Sequence, residues 1–270
     1  MPLRKLEPAF HERIWGAAKL DPWFPNSSAK AGPFPIGEVW FETPEIPLLV
    51  KFLFAAQKLS VQVHPDDAYA RFHHGSPGKT EMWHVLAAEP GAQIAAGFRK
   101  PVSSEQARAA ALSGEIVELI EWFDARPGDT FFIPAGTVHA IGAGLTICEI
   151  QQRSDVTYRF YDYQREPRRE LHLDRALAVG KLGPHAARSA STVACEYFVT
   201  EPVTVSGNAA LPPSEVPQLL IAIEGEGRID GEAVRAGEVW YITAKRGPAV
   251  ITGRLRLLRT FVPQAAHGLK

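Results

Sequence analysis

Apolar and polar positions alternate over short stretches through most of this chain, and only a few segments show a helical period. GEVWF at 37–41 alternates as a short strand. Residues 48–64, LLVKFLFAAQKLSVQVH, hold two β-favouring runs on either side of Ala55–Lys58, which predicts two buried strands rather than one long helix. EMWHVL at 81–86 reads as a strand, and TFFI at 130–133 is a strand stopped by Pro134. Alternation resumes from Leu145 to Arg165. Beyond 192 only strand-like runs remain, QLLIAIEGEGRIDG, EVWYIT and VITGRLRLLRTFV. Three helices are expected. Ser103 and Gln106 form a capping box ahead of ARAAAL, with Gly114 as the stop; EIVELIEWF follows as a second short helix, and Leu171–Val179 as a third. Trp15-Gly16 and Asp21-Pro22 read as turns, His73 and His74 as a solvated loop, and residues 180–192 as a linker.

Composition agrees with that outline. The 270 residues include 22 Gly and 22 Pro, a density of turn formers that favours many short strands over a helical bundle. A hydrophobic share of 46% allows a sizeable core and excludes disorder. The net charge of −1 gives no general attraction for nucleic acid or anionic lipid. No apolar run reaches the ~20 residues of a membrane span, and Lys51 breaks the best one. Cys148 and Cys195 show no metal or disulfide spacing, so a cytoplasmic protein with reduced thiols is expected.

The chemistry concentrates in a few places. Gly128-Asp-Thr-Phe-Phe-Ile-Pro134-Ala-Gly136-Thr-Val-His139 is a turn, a strand, a Pro-Gly corner and then an inward histidine. Upstream, Gln62 and His64 in SVQVH share one face of a strand, with Ser60 behind them. Glu81 and Lys79 in GKTEMW share parity as well, whereas His84 has the opposite parity and is expected to pack outward. Gln62, His64, Glu81 and His139 together offer two imidazoles, a carboxylate and an amide oxygen, a donor set for Zn²⁺ that also suits Fe²⁺, Mn²⁺ or Co²⁺. Further on, Glu149 and Arg159 share parity and can face the same cavity. Arg159 suits an anionic substrate group or a developing enediolate, or else an ion pair with Asp155 or Asp162.

The G-x5-P-x-G-x2-H segment matches the second motif of the cupin superfamily, with Ala143 where many cupins have Asn. Taken in order, WG at 15, GEVW at 37, LSVQVHPDD, GKTEMW, that segment, EIQQRSDVTYRFYDY and RELHLDRAL closely resemble type I phosphomannose isomerases across residues 15–180. The resemblance implies a mainly β protein, a double-stranded β-helix (cupin, jelly-roll) barrel with a few helices, plus a second, smaller cupin-like β domain. Residues 1–185 would be the metal-binding catalytic domain and 190–270 the metal-free one. It implies one zinc ion held by Gln62, His64, Glu81 and His139. Catalytic roles fall on Arg159, Glu149 and Lys79, and sugar or phosphate contacts on Ser60, Lys79, Arg159 and Arg165. The implied reaction interconverts mannose 6-phosphate and fructose 6-phosphate. Glu149, Lys79 and a zinc-bound water stay open as its proton carrier. The chain lacks the long helical insertion of larger members. Rival readings are an isomerase of another or unphosphorylated sugar, an iron-dependent oxygenase on the same donors, and a non-catalytic sugar-binding protein.

Overall fold

The structure, a computed structural model, describes residues 3–25 and 33–264. Its organising element is the strand Ile46–Ala55, IPLLVKFLFA, which is buried along almost its whole length. Such a sequence needs cover on both faces, and it has it. The strand lies inside a seven-stranded antiparallel sheet in the spatial order Arg188–Ser189, Thr130–Ile133, Glu81–Ala88, Leu145–Gln152, Ile46–Ala55, Ile36–Thr43, Ala9–Ala17. On its outer face Leu48, Val50, Phe52 and Phe54 share one core with Leu219, Ile221, Ile223 and Leu258 of a second seven-stranded sheet. Its inner face turns Leu53 and Ala55 toward Ile94, Ala96 and Ile141 of a five-stranded sheet. Lys51 is the one charge on that inner face.

The five-stranded sheet runs Tyr158–Tyr161, Val61–Val63, His139–Ile141, Gln93–Phe98, Ile120–Asp124, all antiparallel. The third sheet is built mainly from Val199–Leu211 and Gln218–Ile229 on either side of the central strand Ala249–Phe261. Its edge strand is Leu3–Lys5, paired with Val239–Ile242, so the chain begins on this sheet before crossing to the first. The protein is mainly β with several antiparallel sheets, as the sequence implies.

Among the described residues, four helices accompany the sheets: α1 (Asp67–His74), α2 (Ser104–Ser113), α3 (Ile116–Leu119) and α4 (Leu173–Val179). The capping box at α2 is present, with Ser103 and Gln106 bonded reciprocally and Gly114 in the left-handed region at the C-cap. Three expectations need correction. Of EIVELIEWF only Ile116–Leu119 is helical; Ile120–Asp124 is a strand, because Gln93–Phe98 offers it a partner. His73 and His74 end a helix rather than sit in a loop. Asp66 caps that helix by accepting from the Tyr69 N–H, and Gly75 closes it. Its mostly exposed face gave no apolar period to read. Trp15-Gly16 is the end of a strand, at a break in register against Ile36–Thr43.

His84 packs outward, as its parity requires, and its Nδ1 lies 3.1 Å from the Thr130 hydroxyl. Burial, then the Arg256 guanidinium, lower its pKa from 6.5 to about 4. As pH falls from 6.5 to 4, the unfolded chain takes up this proton and the folded chain does not. Stability therefore falls across that window, by up to about 3 kcal/mol from this group. Denaturant unfolding at pH 7 and pH 4.5 should show a smaller drop for His84→Gln than for the native protein; equal drops would contradict the assignment.

Candidate active site

Backbone register brings the donor residues together. His139 opens the strand His139–Ile141 directly opposite Gln62. The corner ahead of it turns at Gly136, whose φ is +86° and whose N–H donates to the His64 carbonyl at 2.8 Å. A Cβ there would stand 3.0 Å from the Val179 carbonyl oxygen, so glycine is required by conformation and by space. Glu81 arrives from the opposite sheet. It can do so because Gly78 lies flush against the main chain of Asp66 and Asp67, where a Cβ would meet atoms at 2.6 Å.

His64, Glu81 and His139 place ligand atoms within 4.8 Å of one another, and all three are buried. His64 Nδ1 donates to the Val156 carbonyl at 2.9 Å and His139 Nδ1 to the Thr137 carbonyl at 2.9 Å. Each ring is thereby fixed as the tautomer that turns an unprotonated Nε2 inward, that of His64 accepting from Lys79 at 3.1 Å, the arrangement that outer carbonyls impose on metal-ligating histidines. Those Nε2 atoms lie 3.5 and 3.6 Å from the Glu81 oxygens. Burial, then the Lys79 charge, lowers the pKa of His64; burial, then His64, lowers that of His139 to about 3. Both rings are neutral at pH 7 with a lone pair to offer. Burial works against the Glu81 charge, but Lys79 at 2.9 Å and then His64 hold its carboxyl well below the usual range. Lys79 pairs with Glu81 Oε2, while Glu81 Oε1 has the His139 ring at 3.6 Å. A divalent cation satisfies all of these groups at once. Gln62 completes the ring: its amide nitrogen is 3.3 Å from His139 Nε2 and its oxygen accepts from the Ser60 hydroxyl at 2.9 Å. A half-turn of that amide presents the oxygen instead.

The donor cluster borders a cavity of about 500 Å³ between the sheet that holds Ile46–Ala55 and the five-stranded sheet. Ser60, Gln62, Lys79, Glu149 and Arg159, each singled out from sequence, line it together. Glu149 sits in a cross-strand row, with Lys51 opposite on one side and Trp83 on the other. The Trp83 indole donates to one carboxylate oxygen at 2.8 Å, and the other faces Lys51 at 3.5 Å and Lys79 at 4.0 Å. Burial, then the Glu81 charge, raises the Glu149 pKa. Arg159 makes neither of the ion pairs considered for it: Asp162 is taken by Arg165 and Arg169, and Asp155 approaches Lys51. Its Nε is buried and unpartnered.

Arg165 stands apart. Its guanidinium donates to Asp162 and to the Lys58 carbonyl, away from this cavity. Arg169 and His172 occupy the wall where Arg165 was expected. The cavity also contains Arg13, Glu38 and Lys51, none of which sequence reading selected. Lys51 had a signal, being a lone charge in an otherwise apolar strand. Arg169 and His172 lay within the RELHLDRAL motif but were not assigned to the site, because only a loop folding back on Asp162 delivers them to the cavity.

No protein-family model matches the chain. Individual relatives do. It is 34% identical to the probable mannose-6-phosphate isomerase GmuF of Bacillus subtilis over 92% of this chain and 95% of that protein. It is 35% identical to the mannose-6-phosphate isomerase ManA of the same organism, over 84% of this chain and 88% of that one. The crystal structure of the mannose 6-phosphate isomerase from Bacillus subtilis superimposes with a TM-score of 0.86 at 27% identity, covering 97% of this chain and 100% of that one. On fold, length and sequence together, the chain belongs to the mannose-6-phosphate isomerase family.

Proposed function

We propose that this protein is a zinc-dependent aldose–ketose isomerase interconverting mannose 6-phosphate and fructose 6-phosphate. The observation that carries the chemistry is a buried His–carboxylate–His group next to a cavity that its neighbours Gln62 and Lys79 line, together with an Arg159 guanidinium that no carboxylate among the described residues claims. The family carries the substrate.

Gln62, His64, Glu81 and His139 would hold the ion, a donor set that suits zinc. When bound, zinc supplies Lewis-acid polarisation of a carbonyl oxygen at neutral pH. The remaining work falls on the chain. The reaction moves a proton from C2 to C1 through a cis-enediol, and Glu149 is placed to carry it. Its carboxylate opens onto the cavity between Lys51 and Lys79, with the Trp83 indole fixing its plane. General acid–base help of this kind contributes about 10²- to 10⁴-fold. Lys79 is committed to Glu81 and His64 and acts as a fixed positive charge. Arg159 faces the negative charge on the substrate oxygens. Ser60 holds Gln62 and is within reach of a sugar hydroxyl. We read residues 1–185, apart from the N-terminal strand, as the catalytic unit and 190–270 as its metal-free support, since residues 190–264 contain no histidine.

The test combines elemental analysis with a coupled isomerase assay on mannose 6-phosphate and on free mannose. The expected result is about one zinc per chain and turnover of the phosphorylated sugar. Turnover of free mannose alone would remove the phosphate requirement, and iron-dependent oxygen consumption without isomerisation would overturn the reading.

A further inference from the structure

Arg159 poses a problem of placement. Among the described residues its guanidinium meets no carboxylate within ion-pair distance, and its Nε is buried without a partner. An arginine side chain is long and rotamer-rich, so something other than a salt bridge must fix where its stem begins. His172 does this from the main chain. The His172 N–H donates to the Arg159 carbonyl at 2.8 Å, and the Arg159 N–H donates to His172 Nδ1 at 3.2 Å. The two residues thus clasp each other at two points, outside any sheet ladder. His172 is held in turn by the segment 162–172. Asp162, buried, receives Arg169 through Nε at 2.7 Å and Nη2 at 2.5 Å, and Arg165 at 3.2 Å. These contacts fold the segment back over the strand Tyr158–Tyr161, so that His172 returns to Arg159 thirteen residues later.

We propose that His172 is a positioning residue: it fixes the main chain of Arg159, and through it the guanidinium, against the substrate's negative charge. This rests on the isomerase reading above. Misplacement of a reacting contact by about 1 Å can cost on the order of 10²-fold in rate, so loss of the clasp is expected to reach activity without touching the metal ligands.

Three variants separate the possibilities. His172→Ala removes the Nδ1 acceptor and should lower kcat/KM for mannose 6-phosphate by about tenfold or more, with metal content unchanged. His172→Asn keeps an acceptor at nearly the Nδ1 position and should recover most of the loss. The double variant His172→Ala/Arg159→Ala should be no slower than Arg159→Ala alone, because the two act as one unit. A His172→Ala protein with native kinetics, or full additivity in the double variant, would overturn the proposal. If the native protein fails to isomerise mannose 6-phosphate, the functional reading falls and the clasp is read by amide hydrogen exchange at Arg159. Protection lost in His172→Ala and kept in His172→Asn supports it, and unchanged protection in both overturns it.

Discussion

Replacing His139 by alanine is expected to empty the donor cluster and abolish turnover, the largest effect of any single side chain here. Loss of an outer hydrogen-bond partner to a metal ligand typically costs about 10- to 100-fold in affinity; loss of the ligand itself should cost more. The remaining donors would be His64, Glu81 and Gln62, too few imidazoles to hold zinc against chelator. Elemental analysis after dialysis should find the variant nearly metal-free where the native protein retains its ion. Turnover should fall by at least about 10²- to 10³-fold, the value of one preorganised charge-stabilising group. The fold should survive, since the side-chain contacts of His139 are local to the site, with the Thr137 carbonyl two residues away, the Gln62 amide and the faces of His64 and Trp83. Full zinc content in His139→Ala would refute the ligand assignment, whatever the activity.

Arg159→Ala gives the complementary pattern, with metal retained and turnover lost. Nothing in the cluster leans on this guanidinium, so zinc content should match the native protein. kcat/KM should drop by about 10²- to 10³-fold. Arg159→Lys should recover only part of this, because an ammonium keeps the charge but not the planar fork. Removing the guanidinium also removes the buried, unpartnered Nε, so the variant should melt no lower than the native protein. Undiminished turnover in Arg159→Ala would end its role in catalysis.

The sequence was most readable where chemistry is tied to strand parity and to Pro-Gly punctuation. Gln62 and His64, Glu81 and Lys79, and Glu149 and Arg159 were each paired by alternation alone; the structure places Gln62, Lys79, Glu149 and Arg159 on one cavity and His64 and Glu81 in the buried donor cluster beside it. The Gly136 corner was legible because a positive φ and a crowded Cβ admit little besides glycine. What stayed hidden depends on contacts far apart in the chain. Ile120–Asp124 has helix-like neighbours and becomes a strand only because Gln93–Phe98 is waiting for it. Arg165 and Arg169 are four residues apart in one basic loop. Only the geometry of Asp162 decides that Arg169 lines the cavity and Arg165 braces the loop behind it.

The strand Ile46–Ala55 has one last consequence. Its even-numbered residues from Leu48 to Phe54 belong to the core shared with the C-terminal sheet, while Lys51 between them faces the cavity. A chain cut near residue 190 would therefore expose a stripe of Leu48, Val50, Phe52 and Phe54 on the back of the cavity wall. Such a fragment should aggregate rather than work as a minimal enzyme. Conversely, a volume change at Ile221 or Leu258 acts one residue's thickness from the Lys51–Glu149 pair. Selection on activity then reaches into a sheet that never meets the substrate.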